Sequence, residues 1–192
     1  LDFMWIYILS VVFWIVGAPL YLKQFYAIKS PFIWMLIGWL LLLSTCLALY
    51  QLRAISPLLL LGLMATIWIS DTAAYFTGRA FGKHKLAYAI SPNKTWEGVA
   101  GALMAVLIYG LAWDFWVTEE ILTPTLVPLL IVMAILGIVG DLYESLIKRH
   151  AGVKDSGRIL PGHGGILDRI DALISTLPFA ILALLIFYSP SL

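Results

Sequence analysis

The sequence is poor in charge. Of its 192 residues only 12% are Asp, Glu, Lys or Arg, while 62% are hydrophobic and the mean hydropathy is +0.97. Soluble domains carry about twice that share of charge. An ordinary cytosolic globule is therefore excluded, because there is too little polar surface to cover it. Disorder is excluded as well, since so much apolar side chain must be buried. The single cysteine, Cys46, allows no internal disulfide and carries no redox signal. Set in a long apolar run, it reads as an inert packing residue. No Cys/His cluster suits zinc, and no Ser–His–Asp set can be assembled. Residues 78–83 resemble a phosphate loop but fall one residue short of its spacing, with His84 where a hydroxyl is needed. His84 and His150 read as solvated loop histidines. No repeat or low-complexity segment is present, and no nucleic-acid partner is expected.

What the sequence has is long apolar runs. Residues 3–22, 30–52, 54–70, 98–113, 121–140 and 172–192 contain no charge, and the third stays apolar to residue 78. A membrane-spanning helix needs ~20 such residues, and strands of a barrel would alternate instead. The expected fold is all-α: a polytopic membrane protein of about six transmembrane helices with a polar site at the cytoplasmic side. Aromatics at 14%, with 8 Trp, suit a chain with two interfaces to anchor. Ser56-Pro57 reads as a helix start. Ten of the 12 Lys and Arg residues fall in the first, third and fifth connections. The positive-inside bias puts those loops in the cytoplasm and both termini outside. Residues 1–192 read as one membrane domain, with 1–60 as two peripheral helices and 61–192 as the working part. The chain opens at Leu1 without a basic n-region or a small-residue cleavage site. The expectation is thus a longer parent protein and no signal peptide.

Several charges sit where apolar helices begin or end. Asp71 follows Ile67-Trp68-Ile69-Ser70, Asp141 and Glu144 follow the apolar run 131–140, and Asp168, Arg169 and Asp171 open the last helix. A charge at membrane depth costs several kcal/mol, about 2.5–3.5 on insertion scales, and so faces a partner or a cavity. Asp141, Glu144, Ser145 and Lys148 are spaced i, i+3, i+4, i+7 and share one helical stripe; Asp168 and Asp171 share another. If the two stripes meet, carboxylates converge beside Lys148 and Arg149. Oxygen ligands alone suit a hard ion such as Mg²⁺. The plainer alternative is ion pairing with Lys148, Arg149, Lys154, Arg158 and Arg169.

Two loops carry the remaining signals. Between the stripes run Lys154, Asp155, Arg158, Gly162, His163, Gly164 and Gly165, a glycine-rich basic segment ahead of a helix N-terminus, which suits a phosphate. Upstream lies Ser91-Pro92-Asn93-Lys94-Thr95-Trp96-Glu97-Gly98. Ser91 with Pro92 reads as an N-cap followed by an N1 proline. Lys94 would then lie in a first turn, where a cation opposes the helix dipole unless it meets an anion.

The segment from Ser145 through Lys148-Arg149, Lys154-Asp155, Pro161-Gly162-His163-Gly164-Gly165 and Asp168-Arg169 to Asp171 resembles the signature of the phosphatidate cytidylyltransferases. Residues 91–98, Asp71 to Tyr75 and Gly78 to Lys83 are similar to further motifs of that family. The resemblance covers about residues 65–177. It implies the conversion of CTP and phosphatidate to CDP-diacylglycerol and pyrophosphate in a bacterial-type inner membrane, with the site on the cytoplasmic side. It also implies a homodimer among membrane lipids and a Mg²⁺ requirement; a second cation, of single charge, is expected beside the Mg²⁺. Metal ligation is implied at Asp141 and Asp168; from their positions Asp171 and Asp71 are expected as additional or outer ligands. Asp141, Lys148, Arg149, Lys154, Asp155, His163 and Asp168 are the expected catalytic set. Ser91, Asn93, Lys94, Thr95, Glu144, Gly164, Gly165 and Arg169 are expected to bind substrate. Family members usually carry about three further N-terminal helices, which this chain lacks. Rival readings are another lipid-linked phosphotransferase, or a small transporter or scaffold with buried ion pairs. The repeated-aspartate signature of the CDP-alcohol phosphotransferases is absent. A transport pathway would need polar groups through the full membrane depth.

Overall fold

A computed structural model describes residues 3–24, 30–116, 123–157 and 165–188. It is a helical bundle with six helices long and apolar enough to cross a membrane: Met4–Lys23, Pro31–Ile55, Pro57–Phe81, Trp96–Trp113, Thr125–His150 and Leu167–Phe187. The fold is all-α and polytopic, as expected. In chain order the elements are α1 (Met4–Val12), a π-helical turn (Phe13–Gly17), α2 (Ala18–Gln24), α3 (Pro31–Ile55), α4 (Pro57–Phe81), β1 (Lys85–Ala87), β2 (Ser91–Thr95), α5 (Trp96–Trp116), α6 (Thr123–His150) and α7 (Leu167–Tyr188).

α6 and α7 form the centre. They bury 50% and 61% of their most apolar windows, against 22% to 39% for the other four spans. The outer helices turn side chains such as Trp39, Leu58 and Ile108 outward, as a bundle solvated by hydrocarbon requires. Cys46 is among these outward residues. The expectation of a packing cysteine is therefore corrected: α3 buries Leu41, Ser44, Thr45, Ala48 and Leu52, and Cys46 lies off that stripe.

Local chemistry explains the joints. Ser56 accepts a hydrogen bond from the Leu59 N–H (3.2 Å), with Pro57 at the first helical position. α6 ends in a Schellman turn: the Val153 N–H reaches the Lys148 carbonyl, the Gly152 N–H reaches that of Arg149, and Gly152 takes φ +69°. Pro178 in α7 has no N–H for the carbonyl of Ile174. Thr45 of α3 points its hydroxyl at that carbonyl (3.4 Å), which ties α3 to α7. The π-helical turn places Phe13 and Trp14 edge-on against Tyr143 of α6, both at 5.4 Å between ring centroids.

One expectation fails in the third connection. Ser91 and Pro92 do not start a helix; Ser91–Thr95 is a strand paired antiparallel with Lys85–Ala87. The helix begins four residues later, where Thr95 accepts from the Gly98 N–H (3.1 Å) and does the capping. Lys94 is thus on a strand, not in a first turn. The hairpin is anchored by Glu97, whose carboxylate accepts from the His84 backbone N–H (3.2 Å) and meets His84 Nδ1 (2.7 Å). His84 therefore has a partner, as does His150, whose Nδ1 lies 2.9 Å from the Tyr21 hydroxyl.

Candidate active site

The end of the bundle that carries the hairpin also carries the polar ends of α4, α6 and α7. Gly140 decides how closely α6 and α7 approach there. A methyl group at that position would collide with the Ser175 side chain and press on the Asp171 carbonyl. Glycine lets the helices close, and the next residue, Asp141, is carried to Asp171. Carboxylate oxygens of Asp141, Glu144 and Asp171 all lie within 4.8 Å of one another. Asp71 of α4 stands within electrostatic reach of Asp141, Asp171 and Lys94.

Two ammonium groups enter this cluster. Lys94 Nζ is 2.5 Å from Asp141 Oδ2, across from the hairpin. Lys148 Nζ bridges Glu144 (3.0 Å) and Asp168 (2.7 Å), and thereby α6 and α7. Asp168 is more than a salt-bridge partner. Its Oδ2 accepts from the backbone N–H groups of Ser156 (2.9 Å) and Gly165 (2.7 Å), clasping both described ends of the α6–α7 connection to the first turn of α7. The trio that closes up is therefore Asp141, Glu144 and Asp171. Asp168 adjoins it through Glu144 and Lys148.

Glu144 is the telling residue. It is only 7% exposed, and its Oε1 has no hydrogen-bond partner among the described residues. An unpaired buried carboxylate oxygen is costly. Beside two further carboxylates it has the character of a cation ligand, and an all-oxygen donor set fits Mg²⁺. Asp141 is steadied by Ser145, whose hydroxyl donates to Oδ1 (3.4 Å).

On one side of the cluster opens a polar cleft of about 390 Å³. Asp71, Ser91, Asn93, Lys94, Thr95 and Asp141 contribute to its wall. Arg149 is turned to the hairpin, where its Nε donates to the Ile90 carbonyl (3.5 Å). Lys154 and Asp155 lie exposed after α6, and Arg169 is exposed on the first turn of α7. His163 and Gly164, with Arg158, fall outside the described residues. The sequence reading used neither Gly140 nor the Glu97–His84 anchor. A glycine set directly before an aspartate in an apolar helix was the available sign of the first; nothing in the spacing marked the second.

Comparison with known proteins follows the same lines. The model of the family described as "Cytidylyltransferase family" matches residues 2–187. Among curated relatives, a phosphatidate cytidylyltransferase of Staphylococcus saprophyticus is 48% identical over 130 residues, covering 68% of this chain and 50% of that protein. One of Staphylococcus haemolyticus is 53% identical over 112 residues, 58% of this chain and 43% of its own length. One of Haemophilus influenzae is 42% identical over 125 residues, 63% of this chain and 43% of its own. The chain thus spans about half the length of the curated relatives it matches.

Proposed function

Because the chain belongs to the cytidylyltransferase family, we propose that it transfers a cytidylyl group from CTP to phosphatidate, giving CDP-diacylglycerol and pyrophosphate in phospholipid synthesis. The observation that carries this reading is the meeting of Asp141, Glu144 and Asp171, with a buried unpartnered oxygen on Glu144, beside a lysine-bearing cleft that Asp141 itself lines. Such a site suits polyphosphate held through a divalent ion. A transporter would need polar groups along the whole bundle, whereas the inner cluster of Leu63, Leu130, Met133, Leu177 and Ile181 is apolar.

In the reaction a phosphate oxygen of phosphatidate forms a bond to the α-phosphorus of CTP, and the bond to pyrophosphate breaks. The attacking oxygen is already anionic near neutral pH, so the protein has little proton transfer to perform. Its work is positioning and charge compensation. Lys94 and Lys148, each already beside a carboxylate, are placed to exchange that contact for a phosphate oxygen. Ser91 and Asn93 offer hydrogen bonds along the cleft wall, while Thr95 holds the start of α5. Mg²⁺ would be held by Asp141, Glu144 and Asp171, with Asp71 and Asp168 adjoining, and when bound supplies charge neutralisation at the phosphates. The number of carboxylates also favours a second, monovalent cation. The loop with His163 and Gly164 is assigned to the triphosphate, with Arg149, Lys154, Asp155 and Arg169 around it. The Lys and Arg content of the first, third and fifth connections supports a cytoplasmic position for this face, where CTP is, and in this reading the protein works as a homodimer.

The test is incubation of the purified protein in lipid nanodiscs with phosphatidate and CTP labelled at the α-phosphate, followed by lipid extraction. Label in the lipid fraction with Mg²⁺, none after EDTA, and recovery on adding Mg²⁺ is the expected result. Transfer that ignores EDTA contradicts the ion's role, and no transfer with Mg²⁺ contradicts the activity.

A further inference from the structure

Two carboxylates of the cluster, Glu144 and Asp171, border a second opening of different character that shares no lining residue with the polar cleft. It is a groove of about 130 Å³ between the π-helical turn, α3, α6 and α7. Its walls are apolar apart from Glu144 and Asp171, where it abuts the cluster. Leu42 at its edge is 42% exposed, so the groove communicates with the outer, hydrocarbon-facing surface of α3.

Two features distinguish it from a packing gap. Trp14 lines it and is 2% exposed, yet the indole Nε1 has no hydrogen-bond partner among the described residues. Buried indole N–H groups usually find an acceptor, and the groove's apolar wall supplies none. Gly38, on α3, also lines the groove, and a methyl group placed on it would meet nothing within 4 Å. The space before it is open although the same helical stripe is packed further along, at Leu41, Thr45 and Ala48.

We infer that this groove seats one acyl chain of a glycerolipid phosphate, with the chain's ester carbonyl accepting a hydrogen bond from Trp14 Nε1. The inference deepens the proposed function and rests on it for the lipid's phosphate, which the cation-binding cluster next to the groove would receive. The groove asks for a ligand with a long apolar part and one acceptor close to a charged end. An acyl ester of a phosphorylated glycerol has that sequence of groups. The polar cleft then serves the nucleotide, and the two substrates approach the carboxylates through separate openings. Gly38 and Trp14 become determinants of lipid selection that have no part in binding CTP.

The experiment has a binding arm and a kinetic arm. In the binding arm, protein in nanodiscs without CTP is irradiated with phosphatidate carrying a diazirine in one acyl chain, and the labelled peptides are identified. Label on residues 34–42 and around Trp14, reduced by Gly38→Leu and not displaced by equimolar phosphatidylcholine, is expected. Label elsewhere, or full displacement by phosphatidylcholine, overturns the inference. In the kinetic arm, Gly38→Leu raises the KM for dioleoyl phosphatidate about tenfold by filling the space of several methylenes and leaves the KM for CTP unchanged. Trp14→Phe removes the donor and keeps the ring. It should weaken use of diacyl phosphatidate by about three- to tenfold and leave the dialkyl ether analogue, which has no carbonyl, unaffected. Equal effects on ester and ether lipids overturn the hydrogen bond. Labelling in the groove by a protein that transfers no cytidylyl group would sink the proposed activity and spare the lipid site; transfer with label elsewhere would do the reverse.

Discussion

Asp141→Asn is expected to lower cytidylyl transfer by on the order of 10³-fold while the protein still folds. Its side chain is 38% exposed on the cleft wall, where it meets Lys94 and Ser145. Asparagine keeps the shape and the contact with Ser145 and removes only the charge. The Lys94 pair that is lost is part-exposed, and such pairs contribute about 0–1 kcal/mol. Thermal unfolding in detergent should therefore shift little. The activity loss is large because the group acts where charge must be compensated in the transition state; single electrostatic groups of this kind contribute about 10²–10³ in turnover. Turnover within about threefold of the parent would remove Asp141 from the site.

Lys148→Met is expected to damage both activity and stability, in a way that separates the two. Lys148 of α6 joins its neighbour Glu144 to Asp168 of α7, and all three side chains are less than a fifth exposed. Removing one partner of a buried pair leaves the other charges uncompensated, at a cost of about 3–5 kcal/mol. A divalent ion can supply part of the missing positive charge. The midpoint of thermal unfolding should thus fall in the variant and rise with added Mg²⁺ more steeply than in the parent. Transfer should stay at least about 10²-fold down even at saturating Mg²⁺, since the ammonium is also assigned to a substrate phosphate. Activity and folded yield falling together, with no response to Mg²⁺, would mark the lysine as a structural tie alone.

How much of this was legible depended on range. The six spans were, because hydrocarbon length and charge exclusion act on contiguous residues. Their ends were less so: α6 continues ten residues past Gly140, since the stripe from Asp141 to Lys148 is itself helical and pairs along its face. The hairpin was hidden because Ser91-Pro92 has the chemistry of a helix start, and only the pairing of Lys85 with Thr95 and the cap at Thr95 override it. In the site, spacing put Asp141 and Glu144 on one stripe and Asp168 and Asp171 on another. Which carboxylates close together was beyond it. That depends on Gly140 against Ser175, and on the backbone N–H groups of Ser156 and Gly165 that engage Asp168. The groove at Trp14 and Gly38 is assembled from four separate segments and leaves no local trace.

Direct titration of the protein in nanodiscs with Mn²⁺, read by the loss of the free-ion electron paramagnetic resonance signal, tests the ion site without any turnover. The account predicts saturable binding that Mg²⁺ competes away and that Asp141→Asn and Asp171→Asn each weaken severalfold or more. Mn²⁺ uptake no greater than in empty nanodiscs, or binding that both variants retain in full, would contradict it.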